Sequence, residues 1–147
     1  WLLFLHAGSL PAPAWRAAVS AHRRASPDKA ACFRLRISDR AWQARFVERA
    51  VAARVKWLGL PYGDQGLLVA RSLYEAVGGY RPMPLMEDVD LVRRIGRARL
   101  ALLDGDVSTS AERWRRDGWA ARSARNLFCL ALYGLGVPPA RIARLYG

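Results

Sequence analysis

Strand-like and helix-like patterns alternate along the whole sequence, and this alternation constrains the fold more than any other feature. Residues 1–5 form a continuous apolar run that is typical of an interior strand, and residues 31–37 alternate apolar and charged side chains, which predicts a strand with one polar face. Further short strands are predicted at 66–70 and 100–103. Strands that alternate with helices predict an α/β sandwich whose ligands bind at the carboxyl ends of the strands.

Helical periods occupy the intervals between these strands. Pro11 and Pro13 begin a predicted helix that continues to about Arg24, because proline is favoured in the first helical turn. Asp39 is the predicted cap of a long helix that ends near Trp57. Its apolar side is predicted to comprise Trp42, Phe46, Val47 and Val51.

Shorter helices complete a single predicted domain, 1–147. Ser72 is the predicted cap of a helix that Gly78 and Gly79 close. Residues 112–147 predict a helical C-terminal tail with an interruption at 137–139, where two prolines follow a valine. No repeat, linker or low-complexity segment divides the chain.

The charge balance indicates anionic partners. The chain carries 24 basic and 12 acidic residues, a net charge of +12, spread through the sequence with only short clusters. Such a balance suits phosphorylated small molecules, nucleic acid or an acidic membrane surface. The basic residues are almost all arginine, which compositional bias alone produces, and the motifs of nucleic-acid-binding modules are missing. We therefore predict no nucleic-acid partner.

Cysteine usage and hydropathy predict a cytoplasmic location. Cys32 and Cys129 stand alone without metal-ligand spacing, which is typical of buried small residues in a reducing compartment. No window contains the roughly 18 apolar residues of a membrane span. The apolar start at 1–5 lacks the basic region and cleavage site of a signal peptide. We interpret it as a strand cut at its start and expect the domain to be incomplete at its N-terminus.

A group of carboxylates begins a predicted helix within residues 84–91. From Val89 onward apolar residues recur with a helical period, which places Asp88 at or next to the N-cap. A carboxylate there interacts with the positive end of the helix, worth roughly 0.3–1 kcal/mol, which favours the ionised form that a general base needs. The alternative is that Glu87 and Asp88 merely cap a surface helix.

Four segments occur in the same order as in a known enzyme family: Phe4-Leu5-His6-Ala7, Gly59-Leu60-Pro61-Tyr62-Gly63-Asp64-Gln65, Gly78-Gly79-Tyr80 and Leu85-Met86-Glu87-Asp88-Val89-Asp90-Leu91. With them the chain resembles family-2 glycosyltransferases of the GT-A fold over nearly its whole length. Within that family it is similar to a small bacterial branch of cytoplasmic transferases, some of which are named for arsenosugar biosynthesis. The resemblance implies a three-layer α/β sandwich with a mixed, mostly parallel sheet, and implies that the N-terminal nucleotide-binding half is absent from this chain.

The same resemblance implies an inverting, hexosyltransferase-like enzyme that moves a sugar from a nucleotide-sugar donor to a hydroxyl acceptor. It assigns the general base to Asp88, with Glu87 as its neighbour, and a positioned base is typically worth roughly 10²–10⁴-fold in rate. Asp90 faces elsewhere on the helix and is predicted to be structural.

Two segments carry the implied substrate contacts, which are Tyr62, Asp64, Gln65, Arg113 and Trp114. The loop at 59–65 lies beside the donor sugar and the acceptor in the family. Arg113 and Trp114 match the end of a Gln-x-x-Arg-Trp motif, with Ser110 in place of glutamine, and imply contact with the diphosphate or the acceptor. The alternatives are that Asp64 stabilises its own turn and that Arg113 is a surface cation beside a packed ring.

The family's metal site holds Mg²⁺ or Mn²⁺ against the donor diphosphate, since hard oxygen ligands suit these cations. The matching positions here are 6–9, where Gly8 stands at the position that usually carries an acid. His6 is the remaining candidate ligand, although a histidine at a strand end is more often only hydrogen-bonded. A divalent cation therefore stays open as a cofactor.

Two other classes of function are compatible with the sequence. One is a non-catalytic remnant or binding module of the GT-A fold, which the missing donor half and Gly8 favour. The other is a basic, membrane-peripheral module on anionic lipids, for which the arginine-rich stretch 113–125 is the support.

Overall fold

The computed structural model describes residues 1–146 as five strands, seven helices and two single 3₁₀ turns. The strands are β1 (Leu2–Phe4), β2 (Ser9–Pro11), β3 (Ala30–Ile37), β4 (Leu67–Val69) and β5 (Leu100–Thr109). The helices are α1 (Trp15–Ala25), α2 (Trp42–Leu58), α3 (Arg71–Ala76), α4 (Glu87–Ile95), α5 (Glu112–Asp117), α6 (Trp119–Gly134) and α7 (Pro139–Tyr146). The 3₁₀ turns are Gly63–Gln65 and Arg97–Arg99. Residue 147, the last of the predicted tail, lies outside the described residues.

The five strands form one mixed sheet in the order β1-β4-β3-β5-β2. Within the described residues β3 and β5 run parallel, and the other three neighbouring pairs are antiparallel. The α/β class is therefore confirmed, whereas the expectation of a mostly parallel sheet is wrong. An alternating pattern predicts the layers, but the direction of a strand depends on the end of the sheet at which the chain re-enters, which hydropathy does not encode.

β5 continues six residues beyond the strand predicted at 100–103. Two aspartates and a glycine in this extension are residues typical of turns. Here Asp104 and Asp106 each pair with Arg34 of β3 at 2.9 Å, and Asp106 also pairs with Arg36 at 3.0 Å. Cross-strand charge pairs thus continue the strand beyond the point where the apolar pattern ends.

β1 lies at the edge of the described sheet, where the sequence predicted an interior strand. It pairs with β4, with Leu2 opposite Val69 and Phe4 opposite Leu67. Its side chains are half-buried: Leu2 and Phe4 pack against the core formed by β4 and α4, and Leu3 packs on the opposite face of the sheet. A continuous apolar run predicts that a strand is covered on both faces but not how many strands flank it.

The rotation of α2 about its axis differs from the prediction. Trp42 and Phe46 are 72% and 66% exposed, so the predicted apolar side is wrong at these two positions. Glu48 is instead 7% exposed, accepts the Ile37 N–H at 2.7 Å and pairs with Arg45 at 2.9 Å. A buried carboxylate is costly unless it is paired and hydrogen-bonded, and these bonds orient the helix. The residues of α2 that are buried are Ala44, Glu48, Val51 and Val55.

Neither predicted helix cap forms. The Asp39 carboxylate lies three residues before α2, accepts the Ala41 N–H at 2.9 Å and pairs with Arg115 at 2.7 Å. Ser72 lies inside α3, whose N-cap is Ala70. An error of one or two residues in a helix start is enough to misassign its cap.

The tail is helical, as predicted, and divides at two places. The predicted interruption separates α6 from α7, and a second one at Gly118 separates α5 from α6. Gly118 has a φ of 83°, a conformation that glycine adopts readily. No helix among residues 1–146 has both the length and the apolar character that are needed to cross a bilayer.

Both cysteines lie in the hydrophobic core, as predicted. Cys32 on β3 and Cys129 on α6 are at most 1% exposed, and both thiols are free. Burial raises the pKa of Cys32 to about 12, so this thiol stays protonated at neutral pH.

Candidate functional site

The predicted site residues converge on one open cleft formed by the loop at 59–65, the start of α4 and helices α5 to α7. The cleft has a volume of about 460 Å³ and reaches Thr109 and Ser110, at the carboxyl end of β5. Seven of the eight predicted site residues line it, namely His6, Tyr62, Asp64, Glu87, Asp88, Arg113 and Trp114. The tertiary structure thus gathers segments that are spread over more than one hundred positions of the sequence.

A second cleft, of about 290 Å³, adjoins the first and is lined by aromatic rings. The rings of Phe4 and Tyr80 meet there edge to face, with centroids 5.0 Å apart. Burial raises the pKa of Tyr80 to about 12, and the charges of Asp88 and Glu87 add to this effect. The residues that line both clefts are His6, Tyr62, Gly63, Glu87 and Asp88. The two acids of α4 therefore lie where the two clefts meet.

Two backbone groups hold the Asp88 carboxylate. The Gly63 N–H donates to Oδ2 at 2.6 Å, and the Val89 N–H donates to Oδ1 at 2.7 Å. The N-cap of α4 is Met86, so Asp88 lies two positions inside the helix, and the interpretation of Asp88 as a cap is wrong. α4 is also not a surface helix, since its buried residues are Val89, Asp90, Leu91, Val92 and Ile95. Asp88 instead ties the start of α4 to the loop at 59–65.

Met86, immediately before the two acids, has a left-handed backbone with φ of 69°. Among residues 1–146 it is the one non-glycine residue with a positive φ. Such a conformation costs of order 1–3 kcal/mol and persists where the surrounding structure imposes it. Met86 is 8% exposed and packs in a cluster with Val89, Cys129 and Ile142. Strained residues of this kind concentrate at functional sites, and this one precedes the carboxylates that enter the cleft.

Arg54 supports the loop at 59–65, although the sequence did not single it out. Its guanidinium carbon lies 3.4 Å from the centroid of the Tyr62 ring, and its Nε donates to the Leu60 carbonyl at 2.8 Å. The available signal was an arginine between Val51 and Val55, two positions on the buried side of α2. Arg54 therefore acts as a positioning residue behind the cleft.

The carboxylates of the cleft influence one another through this arginine. Burial raises the pKa of Asp64, the Arg54 charge opposes that shift, and the Asp88 charge adds to it. Burial likewise lowers the pKa of Arg54, while Tyr62, Asp64 and Asp88 act to raise it. The positive charge of Arg54 thus partly offsets the negative charges of Asp64 and Asp88 beside the cleft.

The wall contributed by α5 and α6 is basic. Arg113 is exposed, and Arg122 and Asn126 follow one turn apart on α6. Arg122 is 7% exposed, donates to Asp117 at 2.9 Å and places its guanidinium carbon 5.2 Å from the centroid of the Trp114 ring. Sequence reasoning missed Arg122 and Asn126, and their i,i+4 spacing on a helix was the available signal. This wall suits an anionic group.

Asp117 gathers three arginines at the turn between α5 and α6. They are Arg116 at 2.8 Å, Arg122 at 2.9 Å and Arg125 at 2.8 Å. The hydrogen bond from Arg116 is the largest influence that lowers the pKa of Asp117 to about 2. With Arg115 paired to Asp39, four of the five arginines in the stretch 113–125 have carboxylate partners. This pairing weakens the membrane hypothesis that rested on that stretch.

Buried polar atoms without a protein partner concentrate at the cleft. Among residues 1–146 there are five such side-chain atoms, and four belong to cleft residues: Tyr62 Oη, Asp64 Oδ1, Trp114 Nε1 and Arg122 Nε. An unsatisfied buried polar group costs about 1–3 kcal/mol, so each such group calls for a partner such as a ligand or an ordered water. Their concentration marks the cleft as the candidate binding site.

Two polar residues of the motifs have structural partners instead. Gln65 is 1% exposed, and its amide donates to the Phe33 carbonyl at 3.0 Å and accepts from Arg54 at 3.4 Å. The structure does not bring Gln65 to the cleft, and both ends of its amide have protein partners. Asp90 pairs with Arg94 at 2.6 Å and accepts from the Tyr133 hydroxyl at 3.2 Å, as expected of a structural residue.

The residues around His6 do not make a complete cation site. His6 Nδ1 accepts the Gly8 N–H at 3.2 Å, and Gly8 itself brings no ligand to the cleft. Among residues 1–146, no group of three histidine, cysteine, aspartate or glutamate side chains is arranged to hold a metal ion. Mg²⁺ and Mn²⁺ take several oxygen ligands, so His6 alone would not hold one of these cations.

Comparisons with models of protein families, with curated proteins and with solved structures found no match to this chain. The functional assignment therefore depends on the residues of the cleft and their geometry.

Proposed function

We propose that this chain is the acceptor-side part of an inverting glycosyltransferase, which moves a sugar from a nucleotide-sugar donor to a hydroxyl acceptor. The observation that carries the proposal is the position of Asp88, whose carboxylate is held by the Gly63 and Val89 N–H groups where the two clefts meet. A base at such a junction reaches substrates that occupy either side. The resemblance to family-2 glycosyltransferases supports the same role.

Asp88 is the proposed general base. Each of its oxygens accepts one backbone N–H and keeps a second lone pair, which is free to take a proton. The acceptor hydroxyl gives its proton to Asp88 while its oxygen forms a bond to the anomeric carbon. The bond from that carbon to the diphosphate oxygen breaks on the opposite face, and its electron pair leaves with the diphosphate. A single displacement of this kind inverts the configuration of the sugar.

The basic wall is the proposed site for the departing diphosphate. Arg113 and Arg122 supply guanidinium groups, and Arg122 Nε is buried without a protein partner among the described residues. Guanidinium groups match phosphate oxygens in geometry as well as in charge. Cations fixed before the reaction stabilise negative charge as it develops on the leaving group.

The acidic side of the cleft is the proposed site for sugar hydroxyls. Asp64 Oδ1 and Tyr62 Oη are buried polar atoms that lack protein partners among residues 1–146. A hydroxyl group both donates and accepts, so it satisfies a carboxylate oxygen and a phenol together. Glu87, which lines both clefts, is the proposed neighbour of the base.

A non-catalytic binding module is the second candidate, and Gly8 favours it. Glycine at that position removes the acid that would help to bind a cation and the donor diphosphate. In this case the cleft would bind a sugar nucleotide or a saccharide and release it unchanged.

Release of nucleoside diphosphate is the decisive measurement. The full chain that contains these residues would be incubated with a panel of UDP- and GDP-sugars and simple glycosides as hydroxyl acceptors. Asp88→Asn should lower release by roughly 10²–10⁴-fold, whereas Asp104→Asn should not, because Asp104 is an exposed carboxylate that pairs with Arg34 outside the cleft. Binding without release by the unaltered protein would favour the binding module, and neither binding nor release would overturn both proposals.

A further inference from the structure

The outer face of α2 carries large aromatic side chains in solvent. Trp42, Phe46 and Trp57 are 72%, 66% and 64% exposed. At 100° per residue they fall within an arc of about 60° on the helix. The buried residues Ala44, Val51 and Val55 lie on the opposite side. The aromatic rings therefore occupy the part of the helix that points away from the protein core.

Small and basic residues accompany these rings. Ala50 and Ala53 are exposed on the same face, so the three rings stand clear of their neighbours. Arg49 and Lys56 are exposed along one edge of the face, and the Lys56 ammonium lies 5.3 Å from the centroid of the Trp57 ring. We call Trp42, Phe46, Arg49, Lys56 and Trp57 the α2 outer face.

Carboxylates are excluded from the α2 outer face. The one acidic residue of α2 is Glu48, which is 7% exposed and pairs with Arg36 and Arg45 on the protein side. The face is therefore cationic and aromatic, in a chain whose net charge is +12. Arg116, Arg122 and Arg125 of α5 and α6 form ion pairs with Asp117. Arg49 and Lys56 of the α2 outer face form no ion pair with a carboxylate among the described residues.

We infer that the α2 outer face docks on an anionic lipid surface. Tryptophan and phenylalanine favour the boundary between headgroups and acyl chains, and basic residues beside them are attracted to anionic headgroups. A second copy of the chain fits less well, because a two-fold contact would bring the Arg49 and Lys56 charges of both copies together without an acid between them. The inference does not depend on the proposed glycosyltransferase activity.

Co-sedimentation with vesicles tests the inference. The chain should sediment with vesicles of phosphatidylglycerol and phosphatidylcholine, and much less with phosphatidylcholine alone. Replacement of Trp42, Phe46 and Trp57 by serine should lower the partition coefficient at least about tenfold, because binding scales with the apolar area that enters the interface. Arg49→Gln with Lys56→Gln should lower it about tenfold at low salt and less at high salt.

A matched control replaces three equally exposed apolar residues elsewhere. Leu10, Phe128 and Leu135 are 73%, 56% and 82% exposed, and their replacement by serine should leave vesicle binding unchanged. Melting temperatures should be similar for all variants, since every altered side chain is exposed. Equal binding by the unaltered chain and the aromatic variant would overturn the inference. So would sedimentation velocity data in which the aromatic variant loses self-association while vesicle binding persists, which would assign the face to a second copy.

Discussion

The Gly63 backbone N–H donates a 2.6 Å hydrogen bond to Asp88 Oδ2, across 25 positions of the sequence. This bond joins the loop at 59–65 to the start of α4 and fixes the carboxylate at the junction of the two clefts. A charge-assisted bond of this kind is about twice as strong as a neutral one. Loop and base therefore move together, which makes Asp88 both a structural link and the proposed catalytic group.

Asp88→Asn separates these two roles. The amide offers one acceptor and one donor group, so it loses one of the two backbone bonds and places its NH₂ against an N–H. We expect a loss of about 1–3 kcal/mol in the free energy of unfolding, which a folded domain tolerates. Turnover should fall by roughly 10²–10⁴-fold, because the amide does not take the proton. Chemical denaturation and nucleotide release, measured on the same preparation, check both effects, and turnover equal to that of the unaltered protein would refute the assignment.

The glycine that begins the site loop should be sensitive to a single added methyl group. Gly59 ends α2 with φ of 63°, and a Cβ there would lie 2.8 Å from Arg97 Cγ. Gly59→Ala should cost more than the roughly 1–2 kcal/mol of a left-handed alanine, because the Arg97 backbone at 3.2 Å also has to move.

Gly136→Ala is the matched control for this effect. Gly136 has φ of 84° in the turn after α6, where the Val137 N–H donates to the Leu132 carbonyl at 3.0 Å, a bond typical of a left-handed helix end. Its Cβ would meet no atom within 4 Å among the described residues, so the substitution should cost only the conformational energy of roughly 1–2 kcal/mol. Urea denaturation of both variants measures the difference, and equal losses would show that the contact with Arg97 relaxes freely.

Removal of the basic wall should weaken anion binding. Arg113→Gln deletes an exposed cation that lines the cleft, and Arg122→Lys keeps a charge but loses the planar guanidinium. We expect pyrophosphate affinity, measured by titration calorimetry, to fall roughly 10- to 100-fold for either change, the range of a lost hydrogen bond to a charged group. Arg71→Gln, on α3 and outside the cleft, is the control and should leave affinity unchanged.

Asp117 should make stability depend on pH in acid. The pKa of its carboxyl group is lowered from the ordinary 3.8 to about 2, and the largest cause is the hydrogen bond from Arg116. A carboxyl group whose pKa is lower in the folded state stabilises the fold above the unfolded pKa. That contribution is lost as pH falls through the folded pKa. Melting temperatures measured between about pH 5 and pH 2 should therefore fall more steeply for the unaltered protein than for Asp117→Asn, and parallel curves would contradict this account.

Gly8→Asp should create affinity for Mn²⁺. A Cβ at Gly8 would lie 3.7 Å from His6 Nδ1, an ordinary contact, so the side chain fits without strain. The added carboxylate would join His6 and Asp64, which line the same cleft. Electron paramagnetic resonance of bound Mn²⁺ should show tighter binding by the variant than by the unaltered chain. An unchanged affinity would show that this position does not reach a cation.

Local pattern predicted the parts of this protein that depend on neighbours in sequence. The α/β class, the existence of helix α4 and the interruption of the tail between α6 and α7 all follow from periodicity and from the positions of proline. Seven of the eight predicted site residues also meet at the cleft. Apart from the one that begins α4, their motifs follow β1, precede β4 and follow β5, and these strand ends lie at one edge of the sheet because β4 runs antiparallel to β1 and β3, while β3 and β5 are parallel.

Tertiary contacts decided the rest. Strand direction, the extension of β5 by the Arg34 and Asp106 pair, and the outward aromatic face of α2 depend on residues that are remote in sequence, in one case 72 positions apart. Arg54 and Arg122 were missed because neither belongs to a motif, and their contacts with the Tyr62 and Trp114 rings place them at the cleft only in the folded chain. Periodicity in the sequence indicates which residues face the protein interior. Hydrogen bonds and ion pairs between residues remote in sequence decide how the elements pack there and which charged side chains are buried.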